Sequence, residues 1–163
     1  MTKPYIIICD IDNVFMDSRE WELSFPSKAD LNDRVVWDEY HKKCYKVKPN
    51  PSIIKTLSCI NELIAIHFVT ARENRFNMRE VTIRQIEEFS EGYIKIDGDY
   101  NRLYMRQEND FRTSSEVKEE VLLNEILPNF NVAIAIDDDK SNIEMYKKYN
   151  VPTRYYSKFN RVK

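Results

Sequence analysis

Two aspartates one residue apart, Asp10 and Asp12, directly follow the apolar run Tyr5-Ile6-Ile7-Ile8-Cys9. Three more, Asp137-Asp138-Asp139, directly follow another such run, Val132 to Ile136. Carboxylates brought close together repel unless protons or a cation offset their charge. A cluster offering only oxygen suits Mg²⁺, which keeps waters and takes one or two carboxylates together with phosphate oxygens of a substrate. Between the acidic groups stand a hydroxyl, Thr70, again directly after an apolar run (Ile64 to Val69), and a cation, Lys118. Asp-x-Asp by itself is most often a turn or a helix cap. The order strand, Asp-x-Asp, strand, Thr, Lys, strand, Asp-Asp argues against that reading.

The three apolar runs read as strands buried on both faces. Helical spacing runs from Ser52 to Leu63, with Ile53, Ile54, Leu57, Ile60 and Leu63 apolar, and from Phe76 to Phe89. Ser114-Ser115 are expected to cap a helix that reaches Leu127 and stops before Pro128. Asn142 to Tyr149 reads as a further helix, and Thr153 to Tyr156 as a last strand. One or two short strands are expected over 93–105, around the Asp97-Gly98 turn. Residues 16–50 read as irregular, rich in charges and aromatics, and closed by Pro49 and Pro51. Strands alternating with helices predict an α/β fold, a doubly wound, Rossmann-like parallel sheet. Ligands of such sheets bind beyond the carboxyl ends of the strands. Asp10, Thr70 and Asp137 all arrive at that edge.

A chain of 163 residues fits one domain, 1–163, with a substantial core. A net charge of −2 provides no general field for a polyanion, so any contact with nucleic acid must be local. From Met145 onward the charged residues are all basic (Lys147, Lys148, Arg154, Lys158, Arg161, Lys163), which reads as a solvated helix face and a loose end. Only Gly92 and Gly98 are glycines, which excludes a P-loop or a Gly-rich dinucleotide fingerprint. Cys9, Cys44 and Cys59 are odd in number and lack metal-ligand spacing; Cys9 reads as a small buried hydrophobe. With no signal peptide and no apolar run near about 18 residues, a reducing, cytoplasmic home and no membrane partner are expected.

The motifs Ile8-Cys9-Asp10-Ile11-Asp12-Asn13, Phe68-Val69-Thr70-Ala71-Arg72, Lys118 and Ala135-Ile136-Asp137-Asp138 resemble the signature of the haloacid dehalogenase (HAD) superfamily, over nearly the whole chain. The resemblance implies a Mg²⁺-dependent phosphatase. Asp10 would attack phosphorus to form an aspartyl-phosphate. Asp12 would protonate the leaving oxygen and then activate water. Thr70 and Lys118 would hold phosphoryl oxygens. Asp10, the main-chain carbonyl of Asp12, and Asp137 with Asp138 would hold the metal. The family usually has Gly where this chain has Asn13; Asn tolerates the left-handed backbone region, so the turn is expected to survive. Val14 conforms to the pattern.

The stretches Arg106 to Arg112, Val117 to Val121, Pro128-Asn129-Phe130, Ala133 to Asp138 and Glu144-Met145-Tyr146 are similar to the 3′-phosphatase domain of T-even phage polynucleotide kinase-phosphatases. This nearer resemblance is weak before Pro49 outside Asp10 and Asp12. It implies a polynucleotide 3′-phosphatase acting on DNA or RNA ends, and adds Arg72, Arg106, Asp110 and Arg112 to the phosphate-binding or supporting shell. The phage enzymes place a kinase ahead of the phosphatase. This chain starts its first strand at about Tyr5, so a stand-alone module with a separate kinase or ligase partner is expected. Residues 17–45 fall where the superfamily inserts its cap, so a small lid is expected over about 17–48. Its aromatics Trp21, Phe25, Trp37, Tyr40 and Tyr45 are expected mostly to pack the lid down, with stacking on a terminal base as the other use. His41 and His67 read as incidental. A phosphatase of mononucleotides or small metabolites, and a receiver-like phospho-acceptor module, are the competing readings. The second is disfavoured because the late acidic pair follows both Thr70 and Lys118.

Overall fold

The computed structural model describes residues 2–157 apart from 25, 28 and 30–32. Phe25 and the basic residues Lys158, Arg161 and Lys163 therefore lie outside the described residues. The chain opens with β1 (Tyr5–Cys9) and β2 (Met16–Asp17), then α1 (Arg19–Glu22), α2 (Arg34–His41) and β3 (Lys48–Pro49). α3 (Pro51–Ile60), β4 (Ala65–Glu73), α4 (Met78–Phe89) and β5 (Arg102–Arg106) follow. The last elements are α5 (Ser114–Val121), β6 (Asn131–Asp137), α6 (Lys140–Lys148) and β7 (Thr153–Tyr155).

Five strands pair in the order β5-β4-β1-β6-β7, all parallel, which is the Rossmann-like sheet the alternation predicts. Successive residues of a strand face opposite sides, and β1 uses both. Ile6 and Ile8 pack with Leu122, Ile126, Met145 and Tyr146, the layer of α5 and α6. Ile7 and Cys9 pack with Ile54, Leu57 and Ile86, the layer of α3 and α4. A strand buried on both faces needs an apolar run, unbroken in β1 and nearly so in β4. His67 interrupts the β4 run, and it is fully buried with its ring edge-on to Phe130 at 4.6 Å between centroids. Burial, helped by Arg102, holds its pKa down to about 4, so the ring is neutral and serves as packing.

Several boundaries differ from expectation. Residues 16–50 are not irregular: β2 and β3 pair antiparallel at the base of an insertion that carries α1 and α2. These helices are short and amphipathic, with few apolar repeats, so periodicity missed them. β4 does not stop at Thr70 but continues to Glu73 through a register shift against β5. The first residue of α4 is Met78, because Phe76 and Asn77 carry φ of 50° and 57°, outside the right-handed helix. Thr113, not Ser114-Ser115, caps α5, exchanging a reciprocal capping box with Glu116. Past Val121 the helix widens into a π-turn over Leu122–Ile126, closed by Leu127 N–H donating to the Leu122 carbonyl at 2.8 Å. The 93–105 region contributes a single strand, β5.

Candidate active site

Strand register brings the reactive groups together. Cys9 of β1 lies level with Phe68 of β4 and with Ile136 of β6. Asp10 and Asp137 are therefore the next residues on neighbouring strands, with Thr70 two beyond Phe68. The Asp10 N–H donates to the Ile136 carbonyl at 2.9 Å, extending the ladder to the site itself. Beyond Asp10 the chain must turn sharply. Asn13 makes that turn with φ 60°, as expected for the residue standing where the superfamily has Gly. Its side-chain amide donates to Glu22 of α1, so the turn also anchors the insertion.

Lys118 is 1% exposed and joins the two acidic strands: its Nζ lies 2.8 Å from Asp10 Oδ1 and 2.8 Å from Asp137 Oδ2. Burial alone would lower the ammonium pKa, but Asp10 and Asp137 hold it well above the usual lysine range. Burial pushes the Asp10 carboxyl up, Lys118 opposing and Asp137 adding. The other oxygen of Asp137 accepts from Asp139 N–H at 2.9 Å and from Asn142 Nδ2 at 3.0 Å, so its plane is fixed. One carboxylate oxygen each from Asp10, Asp137 and Asp138 lie within 4.8 Å of one another. Burial and then Asp137 raise the Asp138 pKa to about 7. Three carboxylates facing one ammonium leave negative charge that a hard divalent cation would offset, and the all-oxygen donors fit one. Asp139 stands apart as the cap of α6, accepting from Ser141 N–H at 2.7 Å.

Asp12 is held differently. Arg72, 3% exposed, forks onto it with Nε at 2.9 Å from Oδ2 and Nη2 at 2.6 Å from Oδ1, and Ser18 Oγ donates to Oδ1 as well. The remaining Arg72 nitrogen donates to Thr82 Oγ1 at 3.2 Å and Gln85 Oε1 at 3.0 Å, both on α4. Arg72 was expected in the phosphate-binding or supporting shell; its three nitrogens are engaged with Asp12 and α4. Arg106 and Arg112 line the cleft but are also held. Arg106 Nε donates to the Ala71 carbonyl at 2.9 Å, and its Nη1 to the carbonyls of Asp110 and Arg112. Arg112 forks onto Asp110, with 2.6 Å for the shortest contact, and reaches Glu120. Both arginines thus brace the loop between β5 and α5.

Asp10, Asp12, Thr70, Arg72, Lys118 and Asp138 line a cleft of about 650 Å³. The insertion and the loop after β5 also line it, through Trp37 and Phe111. Trp21 and Tyr40 stack at 4.7 Å, and the Arg72 guanidinium sits 5.1 Å from the Trp21 ring centre. The expected packing role of the lid aromatics holds for these two, whereas Tyr45 is 69% exposed. Residues the sequence reading missed are Ser18, Thr82, Gln85, Asn142, Arg34 and Glu73. Each supports another side chain from a helix or strand end, with no motif to mark it.

A Rossmann-like sheet delivering Asp-x-Asp, Thr, a buried Lys and an Asp pair to one edge defines a hydrolase of the HAD superfamily. The family model for the phosphatase domain of polynucleotide kinase PNKP matches residues 4–155, and the chain belongs to that family of phosphatases. Among solved structures it is similar to a chain in a Pnkp1/Rnl/Hen1 complex, at TM-score 0.70 and 22% identity, covering 95% of this chain and 46% of that one. A chain of the Pnkp1/Rnl/Hen1 RNA repair complex is similar at TM-score 0.69 and 22% identity, covering 94% and 42%. The chain therefore spans less than half the length of these two. A HAD-superfamily hydrolase of subfamily IA from Geobacter sulfurreducens shares the fold at TM-score 0.54 and 13% identity, covering 93% and 88%. No curated protein matches. No helix among the described residues is long and apolar enough to cross a membrane.

Proposed function

We propose that the chain is a Mg²⁺-dependent polynucleotide 3′-phosphatase that works through an aspartyl-phosphate on Asp10. The observation that carries this reading is Asp10 at the floor of an open cleft, paired to buried Lys118 and backed by Asp137. Membership of the PNKP phosphatase family supports the polynucleotide substrate, DNA or RNA, and the likeness to a chain in an RNA repair complex agrees with it. A separate kinase or ligase would be the partner in end repair.

In the first step an Asp10 oxygen forms a bond to phosphorus as the bond to the 3′ oxygen breaks, and Asp12 supplies the proton to that oxygen. In the second step water attacks phosphorus, Asp12 takes its proton, and the Asp10 carboxylate is restored with release of phosphate. Thr70 and Lys118 hold the phosphoryl oxygens. Asp10, the Asp12 carbonyl, Asp137 and Asp138 would hold Mg²⁺, which when bound offsets the negative charge of the phosphate.

Phosphate release from a 3′-phosphorylated oligonucleotide is expected to exceed release from the matched 5′-phosphorylated one by at least about tenfold, or roughly 1.4 kcal/mol. Equal rates at the two ends, or a marked preference for a sugar phosphate, would defeat the substrate assignment and leave the aspartate chemistry standing. For the metal, Asp138→Ala is expected to raise the half-saturating Mg²⁺ concentration by about 10-fold or more. Asp139→Ala should leave it unchanged and cost about 1 kcal/mol of stability through the lost cap. Full activity in EDTA would remove the metal from the mechanism.

A further inference from the structure

Two walls of the cleft that are far apart in sequence meet on one buried carboxylate. Glu73 ends β4, next to Arg72, and is 6% exposed. Arg34 Nη2 donates to it at 2.9 Å and His41 Nε2 lies 3.3 Å away, both from lid helix α2. From the opposite wall, the main-chain N–H of Asn109 donates to it at 2.7 Å. Asn109 carries φ 63°, and the loop turns there into Asp110-Phe111-Arg112. A second strap runs alongside. Asp38 of α2 lies 3.3 Å from Arg34 Nε and 3.2 Å from Arg75 Nη2, and Arg75 Nε lies 3.5 Å from Glu108. Arg34, Trp37 and His41 line the cleft on the lid side, and Phe111 and Arg112 on the loop side. Breaking a buried ion pair is costly, while an intact one fixes geometry more than it adds net stability. Glu73 therefore ties the lid to the loop at one separation.

We propose that Glu73 is a positioning residue for the leaving-group side of the cleft, setting the width of the mouth that receives the phosphorylated nucleoside. It acts through α2 and the 107–113 loop. This inference rests on the reading of the substrate as a polynucleotide end. A small aryl phosphate such as p-nitrophenyl phosphate reaches Asp10 without needing both walls.

Glu73→Gln keeps the shape and an acceptor for Asn109 while removing the charge that holds Arg34. Steady-state kinetics on a 3′-phosphorylated oligonucleotide and on p-nitrophenyl phosphate test it. KM for the oligonucleotide is expected to rise at least about fivefold relative to KM for the aryl phosphate, with the ratio of the two kcat values as in wild type. Arg34→Met leaves the Asn109 bond intact. It should shift KM in the same direction by less, and it carries the test should the Gln variant fail to fold. Equal KM changes on both substrates, or a fall in oligonucleotide kcat without a rise in KM, overturn the positioning role alone. Absence of oligonucleotide turnover by the wild type overturns both this role and the substrate reading.

Discussion

Asp10→Asn is expected to abolish phosphate release, by more than about 10³-fold, in a protein that melts no lower than wild type. Loss of a covalent route removes catalysis on this scale. An amide of nearly the same shape has no anionic oxygen to attack phosphorus. The stability half of the expectation comes from the surroundings of Asp10. Its carboxyl is buried, raised in pKa chiefly by that burial, and set beside Asp137 with one ammonium between them. Asparagine keeps an acceptor for Lys118 and removes one of the mutually repelling charges, so the folded state loses little and is relieved of a desolvation cost. Activity and stability move apart, as they do where a site is built at the expense of the fold. Single-turnover phosphate release and thermal melts check the two halves. Residual activity above about a hundredth of wild type, with contamination excluded, would remove Asp10 as the nucleophile.

The sheet was legible because its central strands are buried on both faces and therefore spelled as unbroken or nearly unbroken apolar runs. Chemistry placed directly after such a run must emerge at the sheet edge. Asp10, Thr70, Asp137 and Asp138 were found that way, and Asn13 was readable as the turn residue. Lys118 came from its place in the order of motifs. The insertion over about 17–48 was expected, but its helices were not legible. α1 has only Trp21 buried, and α2 is eight residues long with Tyr40 and His41 buried, too little for a period to show. The arginines illustrate a second limit. Sequence identifies a guanidinium near the site but not which acceptor it meets, and for Arg72 that acceptor lies 60 residues away. Arg72 meets Asp12 only because β1 and β4 are neighbours. The two histidines divide for the same reason: His67 is packing, whereas His41 lies against Glu73, a contact that only the folded insertion makes.

Arg72→Lys is expected to lower kcat on a 3′-phosphorylated oligonucleotide by about 10²-fold, the lower end of what a positioned general acid–base contributes. Lysine keeps the buried positive charge that Asp12 requires, so the fold should persist. It cannot make a planar fork. In the native site Oδ1 of Asp12 is tied down by Arg72 Nη2 and by Ser18, while among the described residues Oδ2 receives only Arg72 Nε. That asymmetry leaves Oδ2 with spare capacity to carry the proton. A point-charge ammonium would let the carboxylate rotate, and small misplacements of a reacting group are costly. The leaving group separates this role from direct phosphate binding. A ribose oxygen departs as a strongly basic alkoxide and needs the proton, whereas p-nitrophenolate departs without one. The loss in kcat/KM, which reports the first step alone and not the shared hydrolysis of the aspartyl-phosphate, should therefore be at least about tenfold smaller on p-nitrophenyl phosphate. An arginine that gripped the phosphate itself would cost the two substrates equally, and that outcome would return Arg72 to the phosphate-binding set.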